Sequence, residues 1–326
     1  MRRRDVLAVL GSGLLAHPTA ARAQQGSIPV IGFLNGASAE LSANYVRPFR
    51  EGLAEIGYVE GQNVRIEFRW ADGRYGALPH LAADLVGQGV DVIAATSTPA
   101  GLPAKAATST IPIVFVTGSD PVEQGLVPNL NHPGGNITGI TTLAVELGQK
   151  RMELMREVVA TASLFGVLVN PTGPNIVSVS RDLDDAARKI GQQVHVLNAS
   201  TVPELEAAFA AANRIRADAV VIGTDTFFNS QSEMLAKLAM RHVLPAIYQY
   251  REFVAAGGLL SYAGSIVDAY RAAGVYTGRI LKGERPSALP VQQSTKAELF
   301  INLKTAKTLG LTIPPTLLAR ADEVIE

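Results

Sequence analysis

Short apolar runs alternate with amphipathic helical stretches along this chain, and the whole alternation occurs twice. In the first half, β-rich runs at 30–34, 64–70, 92–95 and 113–116 are separated by helical patterns at 45–56, 78–87 and 99–108. In the second, runs at 165–169, 194–197, 219–222 and 246–248 are separated by helical patterns at 177–190, 203–214 and 232–241. Strands that alternate with helices build parallel sheets. Most of these runs are continuously apolar, which requires helices on both sheet faces. The expected fold class is therefore α/β, with two doubly wound parallel-sheet lobes of about 115 residues, each sized for one domain.

The segment Asn131-His132-Pro133-Gly134-Gly135-Asn136, ahead of an extended run at 137–143, marks the first expected boundary. Beyond the second half come a strand at 259–262 and a long helix. Its apolar face carries Ile266, Ala269, Tyr270, Ala273, Tyr276, Thr277 and Ile280 at three-and-four spacing, and Lys282-Gly283 closes it. An extended run at 289–295 and a helix at 299–308 follow. Tandem duplication cannot place these pieces, whereas multiple hinge crossovers between the lobes can. The expected division is 28–140 plus 264–288 for the first lobe, and 141–263 plus 289–326 for the second. Pro48 lies inside the first helical pattern, which must start there or kink.

The N-terminus reads as an export leader: Arg2, Arg3 and Arg4, an apolar stretch over 6–16, then Ala21-Arg22-Ala23 as a cleavage site. Arg3-Arg4-Asp5-Val6-Leu7 is similar to a twin-arginine signal, with general secretion the other route. Cleavage is expected near Gln24, so 1–23 is a signal peptide and the mature protein is expected to be periplasmic. The sequence has no cysteine, which excludes disulfides, thiolate chemistry, cysteine metal sites and a lipid anchor on the cleavage residue. Arg2, Arg3, Arg4 and Arg22 against Asp5 give the leader a charge of +3; the neutral whole leaves −3 for the remainder. No basic run remains to track a phosphate backbone, so nucleic acid is not an expected partner.

Several stretches carry a resemblance to a known family. They are Phe49-Arg50-Glu51-Gly52-Leu53 with 57–64, Ala95-Thr96-Ser97-Thr98-Pro99-Ala100, Ile111-Pro112-Ile113-Val114-Phe115, Ser119-Asp120-Pro121-Val122 with Gly125-Leu126-Val127, 133–139, and Ile280-Leu281-Lys282-Gly283. On these the chain resembles the periplasmic substrate-binding proteins of ATP-driven importers, and within them the subfamily that binds aromatic amino acids such as tryptophan and phenylalanine. The resemblance implies Rossmann-like lobes of the type I periplasmic-binding-protein kind and a small-molecule solute held between them. It also implies delivery to a membrane permease whose separate ATPase supplies the energy. The ligand it implies is an amino acid or related carboxylate, aromatic ones among them. The expected state is a monomer without cofactor or metal.

In open α/β sheets ligands bind beyond the carboxyl ends of the strands. Thr96, Ser97 and Thr98 follow the run at 92–95, with Thr98 reading as an N-cap and Pro99 as the first helical residue. Hydroxyls, free N–H groups and the positive helix end would suit a carboxylate; a plain helix cap accounts for the same residues. Asn35 and Ser38 follow the first strand, and Thr117, Ser119 and Asp120 the fourth; turn and cap roles stay open for them, capping being the stronger reading for Asp120. On the other lobe, Asp225 is the acid placed to bind a ligand ammonium, or to cap the next helix. Phe227 or Phe228 could pack on an apolar ligand or in the core. Asn170 and Asn175 flank a Pro-Thr-Gly-Pro turn, Tyr248 and Tyr250 end a strand, and Tyr262 falls at a hinge crossing.

Catalytic signatures are absent from the sequence. The five histidines are scattered, with no metal-ligand spacing, no Gly-x-Ser-x-Gly elbow and no phosphate-binding loop. A binding protein is the reading, not an enzyme. A receptor feeding a sensor kinase and a periplasmic enzyme on the same scaffold are the alternatives.

Overall fold

The computed structural model describes residues 28–142, 144–174, 176–294 and 296–326. The expected leader, 1–23, lies outside them. The first lobe runs β1 (Val30–Asn35), α1 (Ala39–Glu55), β2 (Arg65–Trp70), α2 (Leu78–Gly87), β3 (Val92–Ala95), α3 (Thr98–Ala107), β4 (Ile113–Thr117) and β5 (Ile137–Thr141). The second runs α4 (Gly148–Val158), β6 (Leu164–Val169), α5 (Ile176–Ile190), β7 (Gln193–Asn198), α6 (Val202–Arg214), β8 (Ala219–Ile222), α7 (Thr226–Ser230), α8 (Ser232–Arg241), β9 (Ala246–Tyr248), α9 (Arg251–Ala255) and β10 (Leu260–Gly264). The chain then returns for α10 (Ile266–Leu281) and β11 (Gln292–Gln293). It ends with β12 (Ala297–Asn302), α11 (Leu303–Thr308), α12 (Pro315–Leu318) and β13 (Glu323–Ile325).

Two sheets result, ordered β11-β5-β4-β3-β1-β2 and β13-β12-β10-β9-β8-β6-β7. Pairing is parallel throughout except β10 with β12. The chain passes between the two sheets three times, after Thr141, after Gly264 and after Gln293. The crossings converge on Gly264, where a Cβ would lie 2.5 Å from Ser294 Oγ and 3.2 Å from the Thr142 carbonyl oxygen. Only a residue without a side chain fits that close approach.

Central strands β1, β3, β4, β6 and β8 are buried along nearly their whole length, as their unbroken apolar runs require. Helix α10 packs across α1 on the first lobe, with Ala269, Tyr270, Ala273, Tyr276 and Ile280 buried against it and the sheet. A Cβ on Gly274 would meet the Phe49 carbonyl oxygen at 2.1 Å, so the two backbones are in near contact. Pro48 does not start α1, which runs on from Ser38, whose hydroxyl accepts from Leu41 N.

Two expectations need correction. Residues 299–308 form a strand and then a helix: Leu299 and Ile301 are buried while Glu298 and Phe300 are not, and this period of two pairs β12 with β10. Pairing with a preformed sheet edge overrides the helical propensity of Ala-Glu-Leu. Gln292–Gln293 pairs with β5 in the first sheet, so the second-lobe segment expected from 289 has its first strand only at Ala297.

Candidate functional site

A cavity of about 540 Å³, counting its opening, lies between the lobes at the carboxyl ends of both sheets. The first lobe lines it with Asn35, Thr96, Ser97, Thr98, Thr117 and Gly118, and with Ser42 and Tyr45 of α1. The second contributes Thr224, Asp225, Thr226, Asn229, Ser230 and Tyr250; Thr142, Ile266 and Tyr270 close the hinge side.

On the first lobe the hydroxyls hold the strand ends rather than cap the helix. Helix α3 begins one residue earlier than its sequence suggests, with Ser97 at the N-cap position and no side-chain bond to its N–H groups. Ser97 Oγ accepts from Gly36 N at 2.9 Å, and Thr98 Oγ1 from Gly118 N at 3.0 Å. Pro99 has no N–H and Ala100 N donates to the Ser97 carbonyl at 2.9 Å, so the start of α3 offers the Thr98 N–H and its partial positive charge, and Ser97 and Thr98 line the cavity. Asn35 lines the same wall, but its amide is spent on Thr96 and the Tyr270 hydroxyl. Thr117 Oγ1 bonds Gln124 and Thr98.

Asp225 stands opposite. It is 5% exposed, and Oδ1 accepts from Asn170 Nδ2, Phe227 N and the Tyr75 hydroxyl, each at 2.9 Å. Tyr75 belongs to the first lobe, so this last bond crosses the cleft. Its oxygen also accepts from Phe227 N at 2.9 Å. The turn after Asn170 covers the carboxylate so closely that a Cβ on Gly173 would sit 2.6 Å from Oδ2. Burial pushes the Asp225 carboxyl above the ordinary range, against the three donors. At the hinge, Thr142 Oγ1 and the Tyr250 hydroxyl are 3.2 Å apart and hydrogen-bonded. Burial pushes the Tyr250 phenol up to about 12.

Below the floor lies Arg151 of α4, 1% exposed. Its guanidinium donates to the Ala144 carbonyl at 2.7 Å and Thr224 Oγ1 at 3.4 Å, while Nε has no partner. Burial lowers its pKa to about 10.

The sequence-derived candidates divide clearly. Asn35, Thr96, Ser97, Thr98, Thr117 and Asp225 come together around the cavity. Asn170 stands behind them as a donor to Asp225. Ser38 caps α1 and Asp120 caps the turn at 122–123, both outside the lining. Phe228 and Tyr248 are wholly buried in the second-lobe core, and Tyr262 packs half-buried against that lobe's other core cluster. Asn175 lies outside the described residues. Tyr45, Tyr75, Asn229 and Tyr270 were not foreseen: three of them come from helices or a loop far from any strand end. Asn229 carries a readable signal, sitting one helical turn beyond Asp225 on α7.

Among the described residues no group of three or more acids and histidines could hold a metal, and no helix is long and apolar enough to cross a membrane. The model of the ABC transporter substrate binding protein family matches residues 27–325. The chain belongs to that family. A tyrosine-binding protein of Clostridioides difficile (strain R20291) is 29% identical over 264 residues, 81% of this chain and 75% of that protein. The structure of an ABC domain from Streptococcus pneumonia in complex with L-Trp superposes with a TM-score of 0.82 at 26% identity, covering 92% of this chain and all of that one. A ligand-free, open substrate binding protein with adhesive properties from Clostridium difficile gives 0.63 at 25% identity, covering 91% and 99%. Family members are solute receptors built from two such α/β lobes. The better match to the ligand-bound form agrees with the bonds that Tyr75 makes across the cleft to Asp225 and Phe227, which join the two lobes here.

Proposed function

We propose that the mature chain is a periplasmic receptor that closes on an amino acid or related small carboxylate and presents it to an importer's permease. In this reading it acts as a monomer, binds without catalysis and is exported through its leader. One observation carries the proposal. A buried carboxylate, Asp225, and the uncapped, hydroxyl-rich start of α3 line one cavity between the lobes. An α-ammonium matches the first and an α-carboxylate the second. Because each group belongs to a different lobe, the ligand completes its contacts only when the lobes meet, and binding favours closure.

Titration calorimetry of the mature protein against the common amino acids tests this. Asp225→Ala and Thr98→Val should each weaken the best ligand tenfold or more, since each removes a charge-assisted or buried polar contact of about 1.5–3 kcal/mol. Unchanged affinity in both variants would overturn the assignment of the site.

A further inference from the structure

The cavity has two unlike ends. Thr224 and Asp225 border a small buried pocket behind it, whereas Leu41, Tyr45, Asn229 and Ser230 also line a large groove that opens to solvent. Asp225 and Asn229 are one helical turn apart, joined by the bond from Asn229 N to the Asp225 carbonyl at 3.1 Å. Their rise along α7 is about 6 Å. On the amino-acid reading, a ligand anchored by its ammonium at Asp225 has Asn229 within reach of its side chain.

What Asn229 offers there is set from behind. Gln249, 1% exposed, donates from Nε2 to Asn229 Oδ1 at 2.6 Å. The same nitrogen faces the Gly223 carbonyl at 3.5 Å, and a carbonyl can only accept, which agrees with this end of the Gln249 amide as the donor, its Oε1 being buried without a partner. With Oδ1 occupied, Asn229 has its Nδ2 donors left for the cavity. The Tyr45 hydroxyl lies at the same end; the residue is 8% exposed, and no hydrogen bond to this oxygen occurs among the described residues. Among the described residues the lining contains no Phe, Trp or Met, and its aromatic rings are those of Tyr45, Tyr250 and Tyr270.

We infer that the cleft selects ligands carrying a hydrogen-bond acceptor at the end remote from the α-amino group, read by Asn229 Nδ2 and the Tyr45 hydroxyl. Gln249 is the positioning residue that holds Asn229 as a donor. The inference rests on the amino-acid reading above and adds to it a rule about the side chain. A bound ligand that lacks the acceptor shuts these donors off from water without replacing the bond, and is penalised for it.

The test is calorimetry with two matched pairs, L-tyrosine against L-phenylalanine and L-glutamine against L-norleucine. In at least one pair the oxygen-bearing member should bind tenfold or more tighter. Gln249→Met should cut that ratio below threefold, a change that a merely structural defect, acting on both members alike, would not produce. If Gln249→Met does not fold, as read by its melting curve, Asn229→Ala at the half-buried partner should lower the same ratio. Equal affinities within both pairs, or tighter binding of the oxygen-free members, overturn this inference alone. Binding by none of the four and by none of the common amino acids overturns the amino-acid reading and this rule with it.

Discussion

Replacing Tyr75 by phenylalanine removes one oxygen from the only described bond that ties Asp225 to the opposite lobe. The ring itself stays, packed near Gly36, where even an added Cβ would come within 3.1 Å of it. Two bonds are lost at that oxygen: the one donated to Asp225 Oδ1 and the one accepted from Phe227 N. Phe227 N retains Asp225 as a partner at 2.9 Å, so no donor is orphaned on the second lobe. A bond to a charged group contributes about 1.5–3 kcal/mol net, and the shared donor argues for the lower half of that range. The bond exists only in the closed form, so its loss should reappear as ligand affinity weaker by about 10- to 40-fold at 1.4 kcal/mol per decade. Encounter occurs with the open form, where Tyr75 and Asp225 are apart. Stopped-flow measurement with the tightest amino acid from the panel should therefore show faster dissociation and an association rate within twofold of the wild type. A dissociation constant unchanged within twofold, or a loss carried by the association rate, would refute the idea that this phenol holds the lobes together.

Two further outcomes follow from the same geometry. Because burial raises the Asp225 carboxyl in the fold, its contribution to stability is present at low pH and is lost as pH rises through that elevated value, whereas pairing with a ligand ammonium needs the ionised form. On acidification the ligand-free wild type should gain unfolding free energy relative to Asp225→Asn while amino-acid affinity falls; parallel stability curves for the two proteins would remove Asp225 as the cause. Gly264→Ala places a Cβ 2.5 Å from Ser294 Oγ where the three crossings meet, and should cost about 1–3 kcal/mol in urea unfolding; a change below about 0.5 kcal/mol would show that the crossings are not tightly packed there.

The sheets were legible because a strand covered on both faces leaves an unbroken apolar run, and β1, β3, β4, β6 and β8 all do. The strand β12 was not, since its alternation over six residues competes with an equally plausible helical start. Among site residues, Asp225 and the Thr96–Thr98 run could be found because they immediately follow strands, where this architecture opens its loops. The same rule misplaced Tyr248: it is the last residue of β9 and remains in the core, while Tyr250, two residues further on, reaches the cavity. Phe228 failed on helix phase, for with Asp225 at the N-cap its ring turns inward. Tyr45, Tyr75 and Tyr270 leave no trace in one sequence. Their role depends on how α1, the loop before α2 and the returning α10 meet the opposite lobe, a relation that no local pattern encodes.

That relation also explains why the closed form keeps one costly group out of water. Asp225 is buried among neutral donors alone, one of them the Tyr75 hydroxyl of the opposite lobe. Desolvated and unmatched, its carboxylate opposes closure. In the open form water reaches the cleft and that penalty shrinks. On the amino-acid reading, a ligand with only an ammonium relieves Asp225 but leaves the start of α3 unanswered. A simple carboxylate does the reverse. A zwitterion answers both at once, and it can do so in one orientation only, with its ammonium toward the second lobe. The requirement for both charges is then what makes closure selective: the same molecule that offsets the desolvation of Asp225 supplies the anion that the opposite wall is built to receive.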